Sequence, residues 1–313
     1  MDNLTVSPSP HIRSGATTSK IMLHVLIALF PALVISAYLF GGRALVLTSV
    51  CMLSAVIWEK LCNIVMKRPD TTHDLSAFVT GMLLAFNLPP TLPYWMAVIG
   101  TFVAIVIVKQ IFGGLGQNFA NPAIVGRIVL MLSFTGPMTN WIMPSVMTDV
   151  STAPTPLVDN YRLYSYWDLF IGRCPGCLGE VSAAALIAGG IYLVAVRVIT
   201  PHAPLAFIAT AFAFSWAAGK DPLYQILSGG LMLGAIFMAT DYVTTPVSKT
   251  GKVIFGIGCG ILTCVIRFYA NYPEGVSFSI LIMNIATPYI DMVTRRKPVG
   301  AAAVKKEAQA GEK

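Results

Sequence analysis

Four segments carry residue types that could do chemistry. Asp149-Val150-Ser151-Thr152-Ala153-Pro154-Thr155-Pro156-Leu157 offers a serine and two threonines. No histidine or carboxylate pair stands beside them to activate an attacking hydroxyl. A hydroxyl here either lines a solvated turn or accepts a covalent modification. Ser14-Gly15-Ala16-Thr17-Thr18 offers hydroxyls again, where a flexible tail leading into the first apolar stretch is the plainer reading. Cys174-Pro175-Gly176-Cys177 could form a disulfide, act as a redox pair or simply pack. Two thiols without a neighbouring histidine or further cysteine do not make a zinc site, so no metal is expected.

The fourth segment, Lys109 to Ala123, is the most unusual. Gly113, Gly114 and Gly116 fall within four residues, Asn118 and Asn121 supply amides, and Pro122 suits the first turn of a helix. It reads either as a tight turn between two spans or as a cofactor cradle. It is not a dinucleotide fingerprint, because no strand precedes it.

These segments lie in a chain of 313 residues that is 56% hydrophobic and only 11% charged. Soluble domains carry roughly 25% charged residues, and the mean hydropathy of +0.72 agrees that this is a membrane protein. The first 19 residues are polar and lack the apolar core of a cleavable signal. The net charge of +7 sits largely at span ends and in the C-terminal tail, which argues against a nucleic-acid partner and for a positive-inside pattern.

Charge-free stretches place spans at 21–42 and from 44 onward past Glu59 and Lys60. Residues 75–108 form two more, broken by Asn87-Leu88-Pro89-Pro90 and Pro93. A fifth covers about 122–138. Five further spans are expected near 181–199, 202–219, 222–240, 252–270 and 275–293, each close to the roughly 20 residues a bilayer requires. With the N-terminus inside, sixteen of the 21 basic residues face the cytoplasm and five (Arg43, Arg162, Arg173, Lys220, Arg267) face out. Both termini are then inside, and the 139–179 loop is outside.

The expected fold is an all-α polytopic membrane protein of about ten transmembrane helices. Five spans on each side of the loop make any repeat an inverted one. Thr80-Gly81-Met82-Leu83-Leu84-Ala85-Phe86 resembles Gly230-Leu231-Met232-Leu233-Gly234-Ala235-Ile236-Phe237, and each precedes a break. Interrupted helices of inverted repeats usually meet near the midplane and line a site. The chain divides into 1–138, the first five-helix repeat; 139–179, the outer loop; 180–297, the second repeat; and 298–313, a basic tail. Glu59 with Lys60, and Lys109, Arg127 and Arg267, are expected to snorkel from span ends.

Ser9-Pro10-His11, Thr18 to Met22, Leu75 to Leu84, Lys109 to Ala123, Met238-Ala239-Thr240-Asp241 and Tyr272 to Phe278 together resemble the RnfD/NqrB family. Its members are the D subunit of the Rnf electron-transport complex and the B subunit of the Na⁺-pumping NADH:quinone reductase. The resemblance runs from residue 7 to about 297. It implies a subunit of a bacterial inner-membrane complex, inactive alone, that relays electrons between ferredoxin and NAD⁺ with Na⁺ or H⁺ translocation. It also implies FMN joined by a phosphoester to a threonine near the outer face, attached by a flavin transferase. Thr155-Pro156-Leu157 fits the end of that motif and Asp149 its start, with Pro154 where the family usually has alanine. Thr152 is the alternative acceptor, and topology disfavours Thr17. No residue acts as an acid–base catalyst in this reading. A second, non-covalent flavin (riboflavin is one candidate) is implied near Gly113, Gly114, Asn118 and Asn121. Two other readings compete: a self-contained inverted-repeat transporter or channel with no covalent flavin, and a purely structural anchor.

Overall fold

The computed structural model describes residues 17–144, 155–157, 164–270 and 275–295. Every regular element among them is helical: one 3-10 turn, Thr72–Asp74, and the α-helices. In chain order they are α1 (Thr18–Phe40), α2 (Gly42–Val65), α3 (Ser76–Phe86), α4 (Tyr94–Phe102), α5 (Pro122–Ser133), α6 (Thr135–Met138), α7 (Tyr166–Ile171), α8 (Ala183–Ala195), α9 (His202–Ala217), α10 (Pro222–Leu227), α11 (Leu231–Leu233), α12 (Lys249–Tyr269) and α13 (Val276–Thr294). Two of them continue as π-helical stretches, α4 through Val103–Gln110 and α11 through Gly234–Met238.

Four helices, α1, α2, α12 and α13, are long and apolar enough to cross a bilayer. The chain is therefore a multi-pass membrane protein. Other apolar helices stand where spans were expected, but they are shorter. The stretch read as one span over 222–240 is divided: α10 stops at Leu227, and Gly229 takes a φ of +65° before α11 begins.

Small residues let the helix backbones approach, which drives packing where lipid and side chain are equally apolar. A side chain at Gly189 of α8 would lie 2.2 Å from the Ala28 carbonyl oxygen on α1. At Gly81 of α3 it would lie 2.7 Å from the Cys51 carbonyl on α2, and at Gly256 of α12 it would lie 2.6 Å from the Ala203 carbonyl on α9.

The prolines break α3 from α4 as expected, and the break explains where the next connection goes. Helices end with carbonyls that have no partner in the helix. The amides of Leu178 and Gly179 donate to Leu88 O at 3.0 Å and Phe86 O at 2.9 Å. The end of the 139–179 segment, expected as an outer loop, therefore folds into the core. Cys174, Cys177 and Leu178 are all buried.

Candidate functional site

Thr155 is buried, and its Oγ1 has no hydrogen-bond partner among the described residues. It borders a small cavity with Pro156, Leu157, Cys174, Glu180 and Gly229. Leu157 packs on Gly229: a Cβ there would sit 2.7 Å from Leu157 Cδ1 and 3.4 Å from Arg267 Nη2. The Arg267 guanidinium is held next to this cavity because α10 ends there. Its Nη1 donates to Gln225 O at 2.7 Å and its Nη2 to Ser228 O at 3.2 Å, satisfying carbonyls at the helix terminus.

Glu180, which also borders the cavity, pairs with Arg127 at 2.9 Å. Arg127 projects from the middle of α5 and also donates to Asn87 Oδ1 at 2.6 Å, Ser277 Oγ at 3.0 Å and Cys177 Sγ at 3.8 Å. Sequence reasoning did not single out Glu180. The signal was available: an acid opening the apolar run at 181–199, in a chain with a lone Arg127 inside another.

Asp149 and Thr152, the other residues of the expected motif, lie outside the described residues, as do Ser14, Gly15 and Ala16. Thr17 caps α1, its Oγ1 accepting from Lys20 N at 3.3 Å. Cys174 and Cys177 are free thiols.

The glycine-rich segment divides. Gly113, Gly114 and Gly116 have φ values of +124°, +96° and +94° and form the tight turn after the π-helical stretch. Asn118 and Asn121 instead face a cavity of about 80 Å³, shared with Ser76, Thr80, Lys109 and Asp241. Asn121 also caps α5, accepting from Ala123 N at 3.1 Å, and donates to Met238 O at 3.5 Å. This cavity is well below the several hundred Å³ that hold a drug-sized ligand, and a flavin does not fit it.

Lys109 does not snorkel. Its Nζ lies 2.8 Å from Glu59 Oε1 and 2.6 Å from Ser76 Oγ, with both charged side chains fully buried. Gln110 Nε2 and Thr71 Oγ1 donate to the same carboxylate oxygen at 3.0 Å each. Glu59 thus pairs with Lys109 rather than sharing an exposed helix end with Lys60. Arg127 is equally buried, because in an apolar interior a charge survives by pairing.

A family model described as the NQR2, RnfD, RnfE family matches residues 5–300. The chain belongs to this family. Similar proteins include the D subunit of the Na⁺-translocating ferredoxin:NAD⁺ oxidoreductase complex of Acetobacterium woodii, 47% identical over 98% of this chain and 99% of that protein. The D subunit of the proton-translocating ferredoxin:NAD⁺ oxidoreductase complex of Clostridium ljungdahlii is 41% identical over 93% and 94%. The D subunit of the ion-translocating oxidoreductase complex of Stutzerimonas stutzeri is 37% identical over 92% and 94%. Family membership agrees with the resemblance carried by the motifs.

Proposed function

We propose that this chain is the D subunit of an ion-translocating ferredoxin:NAD⁺ oxidoreductase, and that it holds FMN through a phosphoester on Thr155. The subunit assignment rests on relatives of that name matched over nearly their full length. The flavin assignment rests on one observation above others: the Thr155 hydroxyl is buried without a partner among the described residues.

The surrounding charge suits a phosphodiester. Arg267 brings a guanidinium to the Gly229 side, and Arg127 neutralises Glu180, the acid that would otherwise repel an anion. The cavity of about 10 Å³ has room for about one water and for neither a phosphate nor a ring system, so the flavin-bearing side chain requires the packing around Thr155 to open. Because Thr155 is only 5% exposed, a flavin transferase acts before this segment closes. FMN, when bound, supplies the electron-carrying chemistry. The protein's part is to fix the attachment point, balance its charge and exclude water.

In this reading the other Rnf subunits are the partners, and the complex sits in the bacterial inner membrane with both termini inside. About ten spans form two inverted five-helix repeats around the 139–179 connection. The contact of Asn87 Nδ2 with Met238 Sδ at 3.7 Å, which joins the ends of the two similar segments, supports that reading. Ion coupling belongs to the assembled complex.

The test is in-gel flavin fluorescence of the denatured chain, co-expressed with its transferase, as parent, Thr155→Ala, Thr152→Ala and Thr17→Ala. Fluorescence lost in Thr155→Ala alone supports the reading. A dark parent band beside an active transferase removes the covalent flavin, and solute flux through the isolated chain then becomes the measurement. Loss in Thr152→Ala instead moves the site.

A further inference from the structure

At one end of the bundle, where α8 stops and α9 and α12 begin, two cavities adjoin. The first, about 270 Å³, is bordered by Arg197, Thr200, Thr240, Asp241, Tyr242 and Lys252. The second, about 460 Å³, is an apolar groove along α8 and α9, bordered by Ile187, Ile191, Val194, Leu205 and Ile208 among others and by no polar side chain. Ile199 borders both. A polar compartment with two cations and one acid thus adjoins a wholly apolar one at Ile199.

Among the described residues, neither Arg197 nor Lys252 forms an ion pair. Among the described residues, Lys252 Nζ donates to Thr200 Oγ1 at 3.1 Å, and Lys252 shares the first turn of α12 with Lys249 and no acid. A helix N-terminus disfavours cations, so lysine there gains from a nearby anion. Arg197 is exposed and closes α8 with a φ of +60°, a conformation glycine usually supplies. Asp241 itself lines the compartment and Asp291 stands close to it, and both are already engaged by backbone or hydroxyl donors. Asp241 accepts from Val243 N at 3.5 Å and Thr244 Oγ1 at 3.2 Å; Asp291 accepts from Val247 N at 3.1 Å.

We infer that this pair of cavities binds one anionic phospholipid, its phosphate between Arg197 and Lys252 and an acyl chain in the α8–α9 groove. Basic pockets between membrane helices bind anionic head groups in this way. The apolar groove separates a lipid from a free phosphate, which would have no use for it. The inference is independent of the flavin reading.

The test is native mass spectrometry of the delipidated full chain, with dioleoylphosphatidylglycerol or dioleoylphosphatidylcholine added back. One phosphatidylglycerol should be retained in preference to phosphatidylcholine, and millimolar inorganic phosphate should not displace it. The Arg197→Gln/Lys252→Gln double variant should lower its retention on the order of tenfold. Ala195→Trp, which fills the groove, should lower retention without touching the cations. Equal binding of the two lipids, displacement by inorganic phosphate, or unchanged binding in either folded variant overturns the proposal. The head-group comparison needs no variant, so a misfolded mutant leaves it decisive.

Discussion

Arg127 and Glu180 form a 2.9 Å ion pair whose side chains are 3% and 2% exposed, joining the middle of α5 to the residue that leads into α8. The same guanidinium reaches Asn87 just past α3 and Ser277 at the start of α13. One cation therefore holds the ends of elements far apart in sequence, beside the cavity that carries Thr155. Two charges taken out of water together cost little more than they return, but one left alone is expensive.

Glu180→Leu should accordingly destabilise the chain by about 3–5 kcal/mol, and Arg127→Met by a similar amount. The Arg127→Met/Glu180→Leu double variant should recover most of that loss. Thermal unfolding of the purified chain in detergent measures all three. Single variants as stable as the parent would mean that the pair does not hold these elements together.

Lys109 and Glu59 allow a separate test, because Glu59 keeps two neutral donors when the lysine is removed. Lys109→Met leaves Gln110 and Thr71 on Glu59 Oε1. The variant should be destabilised, and adding Glu59→Gln should restore part of the loss. A coupling within about 0.5–3 kcal/mol is expected for residues in contact. Additive effects in the same unfolding measurement would argue against a buried pair.

The helices themselves were legible because Pro89, Pro90 and Pro93 punctuate an otherwise charge-free stretch, and Pro122 follows a capping asparagine. The burial of Lys109 and Arg127 was not. A charge near the end of an apolar run looks the same whether it reaches water or a partner, and the partners Glu59 and Glu180 are remote in sequence. The break at Gly229 was hidden for a related reason: a single glycine in an apolar run marks either a packing contact or a turn. Thr155 was found through its motif; that its hydroxyl lacks a partner among the described residues came only from the packing around it.

The loop between α2 and α3 should respond to acid. Thr72 donates from its amide and its hydroxyl to Asp70 Oδ1, at 3.0 and 2.7 Å, and these bonds hold the carboxyl below its usual range. A depressed carboxylate pKa contributes order above the unfolded value of about 3.9, and that contribution is lost as the pH falls through the folded value. Protection of the Thr72 amide from hydrogen exchange, corrected for intrinsic rate, should therefore fall between about pH 5 and pH 1, chiefly below about 3.9. Asp70→Ala should lose the same protection already at the upper end of that range. Equal protection of the parent at both ends would remove the effect.

Gly189 is where α8 meets α1, and so where the second half of the chain rests on the first. An added methyl would meet the Ala28 carbonyl oxygen at 2.2 Å and Phe237 Cζ at 3.0 Å. Backbone on a packed helix cannot rotate away as a side chain can, so Gly189→Ala forces α1 and α8 apart. Overpacking of this kind costs about 1–3 kcal/mol, although alanine is intrinsically the better helix former. Gly42, which opens α2, provides the contrast, since nothing lies within 4 Å of a Cβ built there. Gly42→Ala should be neutral or stabilising by up to about 1 kcal/mol. Unfolding midpoints of the two variants should thus move in opposite directions, or the second not at all. A Gly189→Ala chain as stable as Gly42→Ala would show that α1 and α8 do not approach this closely.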